Sequence, residues 1–291
     1  MKKIIKRWRE LMLTQDDWFE AVCRSYSNPP VFYNGIKLPG FPSDEIQTNT
    51  TGQSGINTLK EAFIFYQDCI ENFKILGMPL QKKHTLLDFG VGWGRIARFF
   101  LRELPLKNIY GIDVTEDFIE ICKKTFQTEN FLVTEPFPPT QLSSRKFNFI
   151  IGYSVFSHLS EKACESWMRE FSRLLVPGGM VALTTRGRTF FDFCKSLKGK
   201  GHTGYLAALS NLFDDFSDAR TRYDQGEFVH SNRDGVNGGG AMTADFYGET
   251  FIPEEYARSA YSELFHLEKF LFDPSRQTHP IMFFRKKSNS L

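Results

Sequence analysis

The chain has 291 residues, 41% of them hydrophobic and 24% charged, which are ordinary proportions for a globular protein and exclude a disordered or collagen-like chain. Net charge is +2, and the first ten residues alone carry +4 through Lys2, Lys3, Lys6, Arg7 and Arg9 against Glu10, so the remainder carries −2 and is no polyanion binder by charge. The five cysteines (Cys23, Cys69, Cys122, Cys164 and Cys194) form no CxxC and no Cys/His cluster with zinc spacing, which predicts free thiols and a cytoplasmic protein. The basic N-terminus lacks the apolar stretch of a secretory signal, and no run of 18 apolar residues exists, so no membrane-spanning helix is expected.

Ile4, Trp8 and Leu11 fall on one helical face opposite Lys and Arg. This predicts a short amphipathic helix docked on the body, or a weak membrane-surface contact by residues 2–12. Residues 28–56 are dominated by turn formers and are expected to be loop. Leu59, Ala62, Phe63, Tyr66, Ile70 and Phe73 then recur at helical steps.

From residue 84 strands and helices alternate. Residues 84–89, 108–113, 131–133 and 147–153 read as strands, and residues 95–104, 116–124 and 161–175 as helices. Pro177-Gly178-Gly179 is expected to turn the chain into a strand over 180–185. This alternation predicts an α/β fold, a doubly wound parallel sheet with helices on both faces. Residues 186–250 break the rhythm and are expected to be an insertion over one sheet edge, with a Gly-rich run from Gly235 to Gly240. A helix over 253–264, with Pro253 in its first turn, precedes two antiparallel strands at 266–272 and 281–285. The expected organisation is one domain: an N-terminal helical extension and lid (1–58), a cofactor-binding core (59–185), an insertion capping the acceptor site (186–250) and a closing helix and hairpin (251–291).

The strongest signal is Asp88-Phe-Gly90-Val-Gly92-Trp-Gly94, placed where a strand turns into a predicted helix. Glycines there let a ligand approach the backbone, and a helix N-terminus offers free N–H donors. Asp113 ends the next strand, where an acid binds ribose hydroxyls. The spacing is GxGxG rather than GxGxxG, which argues against a nicotinamide-dependent oxidoreductase. A carboxylate at Asp88 is poor beside a pyrophosphate but acceptable near a cationic ligand without phosphate, which suits S-adenosyl-L-methionine (SAM).

Four motifs together resemble the class I SAM-dependent methyltransferases of the bacterial small-molecule type: Leu86 to Arg95, Gly111-Ile-Asp-Val114, Phe147 to Leu159, and Leu174-Leu-Val-Pro-Gly-Gly-Met180. The resemblance covers residues 60–190 and the closing hairpin. It implies a Rossmann-like seven-stranded sheet, six strands parallel and the last antiparallel, and methyl transfer with S-adenosylhomocysteine as product. It places Asp88, Gly90, Gly92 and Gly94 at the methionine end of SAM and Asp113 on the ribose. Val114 packs beside the adenosine, and Thr134-Glu135 borders the adenine, although the family more often has Asn or Asp there.

Methyl transfer is an in-line displacement, so alignment and exclusion of water supply much of the catalysis, while an oxygen acceptor also needs a base. His158 is the base candidate by position after the fourth core strand, the alternative being a capping or packing histidine. Tyr153 and Phe156 either shield the sulfonium or simply pack in the core. Asp224, Glu227 and His230 recur every three residues and suggest a metal site only faintly, so no metal is assigned. Tyr247-Gly248-Glu249 is expected in the acceptor pocket, and residues 38–55 as a lid over SAM. Neither the Pro-Pro-aromatic motif of amino-directed DNA enzymes nor a Pro-Cys nucleophile is present, which disfavours nucleic acid. The reading is O-methylation of a small molecule, a sugar or glycan precursor first. N-methylation, a natural-product acceptor and a SAM-binding scaffold without turnover are the alternatives.

Overall fold

A computed structural model describes residues 14–236, 238, 240 and 242–288. The expected N-terminal amphipathic helix, with its membrane contact at residues 2–12, lies outside the described residues, as do three positions in and beside the glycine run of the insertion.

The core is a seven-stranded sheet built from β3 (Leu86–Phe89), β4 (Ile109–Asp113), β5 (Phe131–Val133), β6 (Phe147–Gly152), β7 (Leu175–Thr184), β10 (Phe265–Leu271) and β11 (Ile281–Lys286). Its order is β10-β11-β7-β6-β3-β4-β5, and only β11 runs against the others, pairing antiparallel with both β7 and β10. The pleat sorts side chains to the two faces. Phe149, Ile151, Met180, Ala182, Ile281 and Phe283 join one core cluster, while Ile150, Val181, Leu183, Met282 and Phe284 join the other. The first face is covered by α1 (Gln15–Ser27), α3 (Gly55–Ile75) and α4 (Glu116–Phe126), through Trp18, Phe65, Phe73 and Phe126. The second is covered by α5 (Glu161–Leu174) and α9 (Glu254–Ala260), through Trp167, Phe171 and Ala257. A third cluster lies in the insertion, formed by α6 (Arg188–Ser196), α7 (Gly204–Ser210), α8 (Phe216–Asp224) and the pair β8 (Val229–Ser231) and β9 (Glu249–Phe251), with Phe191, Phe216 and Phe251 at its centre. Phenylalanine thus supplies the thick contacts of all three clusters, at ~1.5–3 kcal/mol for each fully buried ring.

The structure corrects the element boundaries in four places. Residues 28–56 are not all loop: a short hairpin, β1 (Phe32–Tyr33) and β2 (Ile36–Lys37), precedes α2 (Asp44–Thr51). The Ser43 hydroxyl caps α2, and Thr50 and Thr51 donate back to the carbonyls of Ile46 (2.6 Å) and Gln47 (3.0 Å). Polar residues that hydrogen-bond along the helix hide it from an apolar-periodicity test. The predicted helix at 95–104 is a 3-10 helix, Ala97–Arg102. Across it the Phe99 amide donates to the Ile96 carbonyl and the Glu103 amide to the Phe100 carbonyl, both at 3.0 Å, the i to i−3 pattern of the tighter winding. Pro177-Gly178-Gly179 lies inside β7, where partners jump from Phe147–Leu175 to Phe149–Met180, so the expected turn is an outward bulge of the strand. Finally, α9 is shorter than expected and Pro253 is its N-cap rather than a first-turn residue.

Candidate active site

The loop after β3 begins with two amides on one acceptor: Gly90 and Val91 both donate to the Ile112 carbonyl, at 2.9 and 3.1 Å. The chain must then turn through left-handed backbone at Gly90 (φ 70°) and Gly94 (φ 80°). A side chain at either would also collide, with Val155 at Gly90 and with the Phe126 ring at Gly94. Gly92 differs, since the nearest atom to an added Cβ is the Thr50 methyl at 3.9 Å. Open space lies over that glycine, and it forms part of a cavity of about 360 Å3.

Two acids stand at this loop and have separate surroundings. Asp113, at the end of β4, accepts from the amides of Gly92 (2.8 Å) and Thr115 (3.0 Å) and lines the cavity. Burial raises its pKa, and these amide donors oppose the rise. Asp88 is 1% exposed, lies behind the loop rather than on the cavity wall, and leaves Oδ2 buried without a hydrogen-bond partner. Burial, and then the neighbouring Asp113, pushes it up to about 8.

The cavity wall beyond Asp113 is largely apolar: Ile112, Val114, Phe118 and Pro136 with the backbone-adjacent Thr134. Glu135 itself is exposed and outside the wall. At the other end Arg95 donates to Glu61 (2.5 Å) and to the Thr58 hydroxyl (3.0 Å), and the Tyr153 hydroxyl donates to the second Glu61 oxygen (2.8 Å). Arg95 also lies over the Tyr153 ring, 5.2 Å from its centroid. Burial and the Glu61 carboxylate hold the Tyr153 phenol well above its ordinary range, so it stays protonated. Asn49, Thr50 and Thr51 of α2 cover this end.

After β6 the backbone takes a left-handed step at Ser154 (φ 59°), whose amide donates to the Thr184 hydroxyl at 2.6 Å. The chain then runs beside β9: Gly248 and Thr250 amides donate to the carbonyls of His158 and Ser157, both at 2.8 Å. This pairing brings His158 Nδ1 to 2.8 Å from the Gly248 carbonyl. A carbonyl only accepts, so Nδ1 carries a proton, and in the neutral ring the lone pair is on Nε2. Nε2 lies 3.5 Å from Ser154 Oγ, and both residues line the cavity. The imidazole stacks on Tyr247, with centroids 4.9 Å apart and planes 2° off parallel.

Of the residues the sequence marks, Gly90, Gly92, Asp113, Val114, Tyr153 and His158 line one cavity, whereas Asp88 and Gly94 support the loop from behind and Glu135 points to solvent. The suggested metal triplet does not assemble: Asp224 pairs with Arg188, Glu227 with Arg222, and His230 bonds Thr250. Among the described residues no group of three His, Cys, Asp or Glu could hold a metal, and no helix is long and apolar enough to cross a membrane. Glu61, Thr50 and Arg186 carry no sequence motif, and their parts in the site arise from long-range packing.

Comparison with known proteins agrees with this geometry. Residues 87–181 match the family of methyltransferase domains, a span that runs from β3 into β7 and includes both acids and His158. An uncharacterized methyltransferase of Anoxybacillus flavithermus is 24% identical over 171 residues, 51% of this chain and 76% of that protein. Among solved structures, the magnesium protoporphyrin IX methyltransferase of Synechocystis PCC 6803, determined with S-adenosylhomocysteine, aligns over 99% of this chain and 100% of its own at 13% identity and a TM-score of 0.47. A SAM-dependent methyltransferase from Mesorhizobium loti aligns over 74% and 96% at 11% identity and a TM-score of 0.48. Residues 87–181 thus carry a methyltransferase domain. The chain is an enzyme of methyl transfer.

Proposed function

We propose that this enzyme methylates a hydroxyl of a small-molecule acceptor, with His158 as the general base. The observation that carries the reading is the His158 ring: its tautomer is set by Gly248, its lone pair lies at the wall, and it shares a cavity with the glycine loop and Asp113. The cavity suits SAM. Asp113 is an acceptor for the ribose hydroxyls, the slot of Ile112, Val114, Phe118 and Pro136 takes a flat adenine, and Arg95 brings a cation toward the methionine carboxylate. The open side of Gly92 leaves room for a ligand to lie on the backbone. Asp88 acts through the loop it supports.

SAM supplies an activated methyl carbon and a neutral thioether leaving group. The protein's own contribution is alignment, exclusion of water by α2, and removal of the acceptor proton by Nε2. A sugar or glycan precursor is the first acceptor class to test, because Tyr247 and Phe246 offer aromatic faces beside a base at the same wall. The test is transfer from radiolabelled SAM to a panel of monosaccharides, nucleotide sugars, catechols and amines. Hydroxyl acceptors should be labelled and His158→Gln should slow transfer about 10²-fold or more while SAM binding stays within twofold. Labelling confined to amines, or full transfer by His158→Gln, would remove the O-methylation reading.

A further inference from the structure

Behind His158, away from the cavity, is a carboxylate with no exposure at all. Glu249 is 0% exposed, yet it is an ion: Oε2 accepts from Arg186 Nε at 2.8 Å, Oε1 accepts from the Tyr205 hydroxyl, and Oε1 lies 3.3 Å from His158 Nδ1. A buried ion pair is a poor source of stability, because desolvating two charges offsets their attraction. An acid held there needs another account.

We propose that Glu249 is a positioning residue for the base: with Gly248 it holds the Nδ1–H of His158 and stabilises the imidazolium formed when the acceptor is deprotonated. The inference rests on the base assignment made above. In the reaction the acceptor proton passes to Nε2, the acceptor oxygen bonds to the methyl carbon, and the carbon–sulfur bond breaks with its electron pair left on sulfur. His158 therefore gains a positive charge in a buried place. The groups facing it decide what that charge costs. Tyr247 stacks on the ring from the turn before β9, Glu249 follows on β9, and Arg186 reaches Glu249 from the end of β7. Tyr205 comes from α7, His230 from β8 and His279 from the link before β11. Only His158 has a ring N–H within reach of the carboxylate. His279 accepts from Arg186 Nη1 at 2.8 Å, and burial holds it neutral. His230 is lowered to about 4, chiefly by burial. Burial alone would raise Glu249, but His158 and Arg186 outweigh it and bring it to about 2, so the carboxylate is charged throughout the working range. With Glu249 present the resting cluster is neutral and one proton makes it +1. Without it, the Arg186 charge is already uncompensated and a proton on His158 meets repulsion.

The experiment reads the ring itself and needs no acceptor. Protein labelled with 15N-histidine is titrated by NMR from pH 5 to 9, with His158 assigned from its loss in His158→Gln. The wild-type signals should show the Nδ1–H tautomer. Glu249→Gln should move the pH midpoint of the His158 signals down by about one unit, a tenfold loss of proton affinity. Tyr205→Phe removes a donor from Oε1, leaves the carboxylate more negative toward His158, and should move the midpoint up. A folded Glu249→Gln with an unmoved midpoint overturns the proposal, and so does a Tyr205→Phe midpoint that is unmoved or lower. The second variant keeps the test decisive where the first does not fold. Full methyl transfer by His158→Gln is a separate result that would remove the base reading while the ring titration still reports whether Glu249 acts on His158.

Discussion

The two ends of the cavity are built in opposite ways. At the end proposed for the ribose and adenine, Gly92 and Asp113 are 21 residues apart and joined by one hydrogen bond across adjacent parallel strands. The end proposed for the base joins residues 90 apart, His158 to Gly248, through a segment that leaves the sheet, forms its own aromatic cluster and returns. The buried carboxylates make the same contrast. Asp88 has burial and another acid against it and rises to about 8; Glu249 has Arg186 and His158 beside it and falls to about 2. One end rests on adjacent strands of the sheet and the other on a segment outside it, so substitutions can strike them separately.

Substitutions that strike one end and spare the other would sharpen this contrast. The largest effect is expected from Arg186→Met, which strands the buried Glu249 charge and should cost ~3–5 kcal/mol of stability, read by denaturant unfolding. SAM binding by the folded fraction should be close to normal. Gly94→Ala should cost ~2–5 kcal/mol, from left-handed backbone and collision with Phe126, and should weaken SAM binding as well. Equal loss of SAM affinity in both variants would break the contrast. Asp113→Ala should weaken SAM by ~1.5–3 kcal/mol, measured by calorimetry, as expected for hydrogen bonds to a charged group.

The smallest effect is a pH dependence. Asp88 has a raised folded pKa, so its stabilising contribution is present below its unfolded value near 3.8 and is lost as pH rises toward about 8. Glu249 has a lowered folded pKa, so its contribution is present above its unfolded value near 4.5 and is lost as pH falls toward about 2. Asp88→Asn should therefore raise Tm at pH 8 relative to wild type and change it less at pH 5, by a few degrees, since about 1 kcal/mol moves Tm by ~2–4 °C at this size. A Tm gain larger at pH 5 than at pH 8 would contradict the buried, raised acid.

What could be read in the sequence follows the same division. The strands of the sheet are legible because each rests on a local pattern, an apolar run, and the same kind of pattern marks Gly90, Gly92, Asp113 and His158, which the fold brings to one cavity. The α2 helix was missed because Thr50 and Thr51 bond along it instead of packing in the core. The segment after the loop reads as a regular helix, while Ala97–Arg102 is wound as a 3-10 helix, a difference that apolar spacing does not register. Arg186 and Glu249 are 63 residues apart, and no spacing rule joins them. Glu135 is exposed, and its neighbours Thr134 and Pro136 are the residues of that segment that line the cavity.

The place of β11 between β7 and β10 has a consequence for synthesis. Residues 265–271 reach the sheet only through residues 281–286, which pair with both neighbours. On the ribosome, β7 therefore emerges with one open edge and keeps it for about a hundred residues of further translation, roughly 5–20 s at ordinary elongation rates. Throughout that interval a nascent chain exposes a row of unpaired amides and carbonyls flanked by Val181 and Leu183, a template for pairing with another chain. Residues 188–251, with their own aromatic cluster, are made during the same interval and leave the exit tunnel before the strand that seals the sheet.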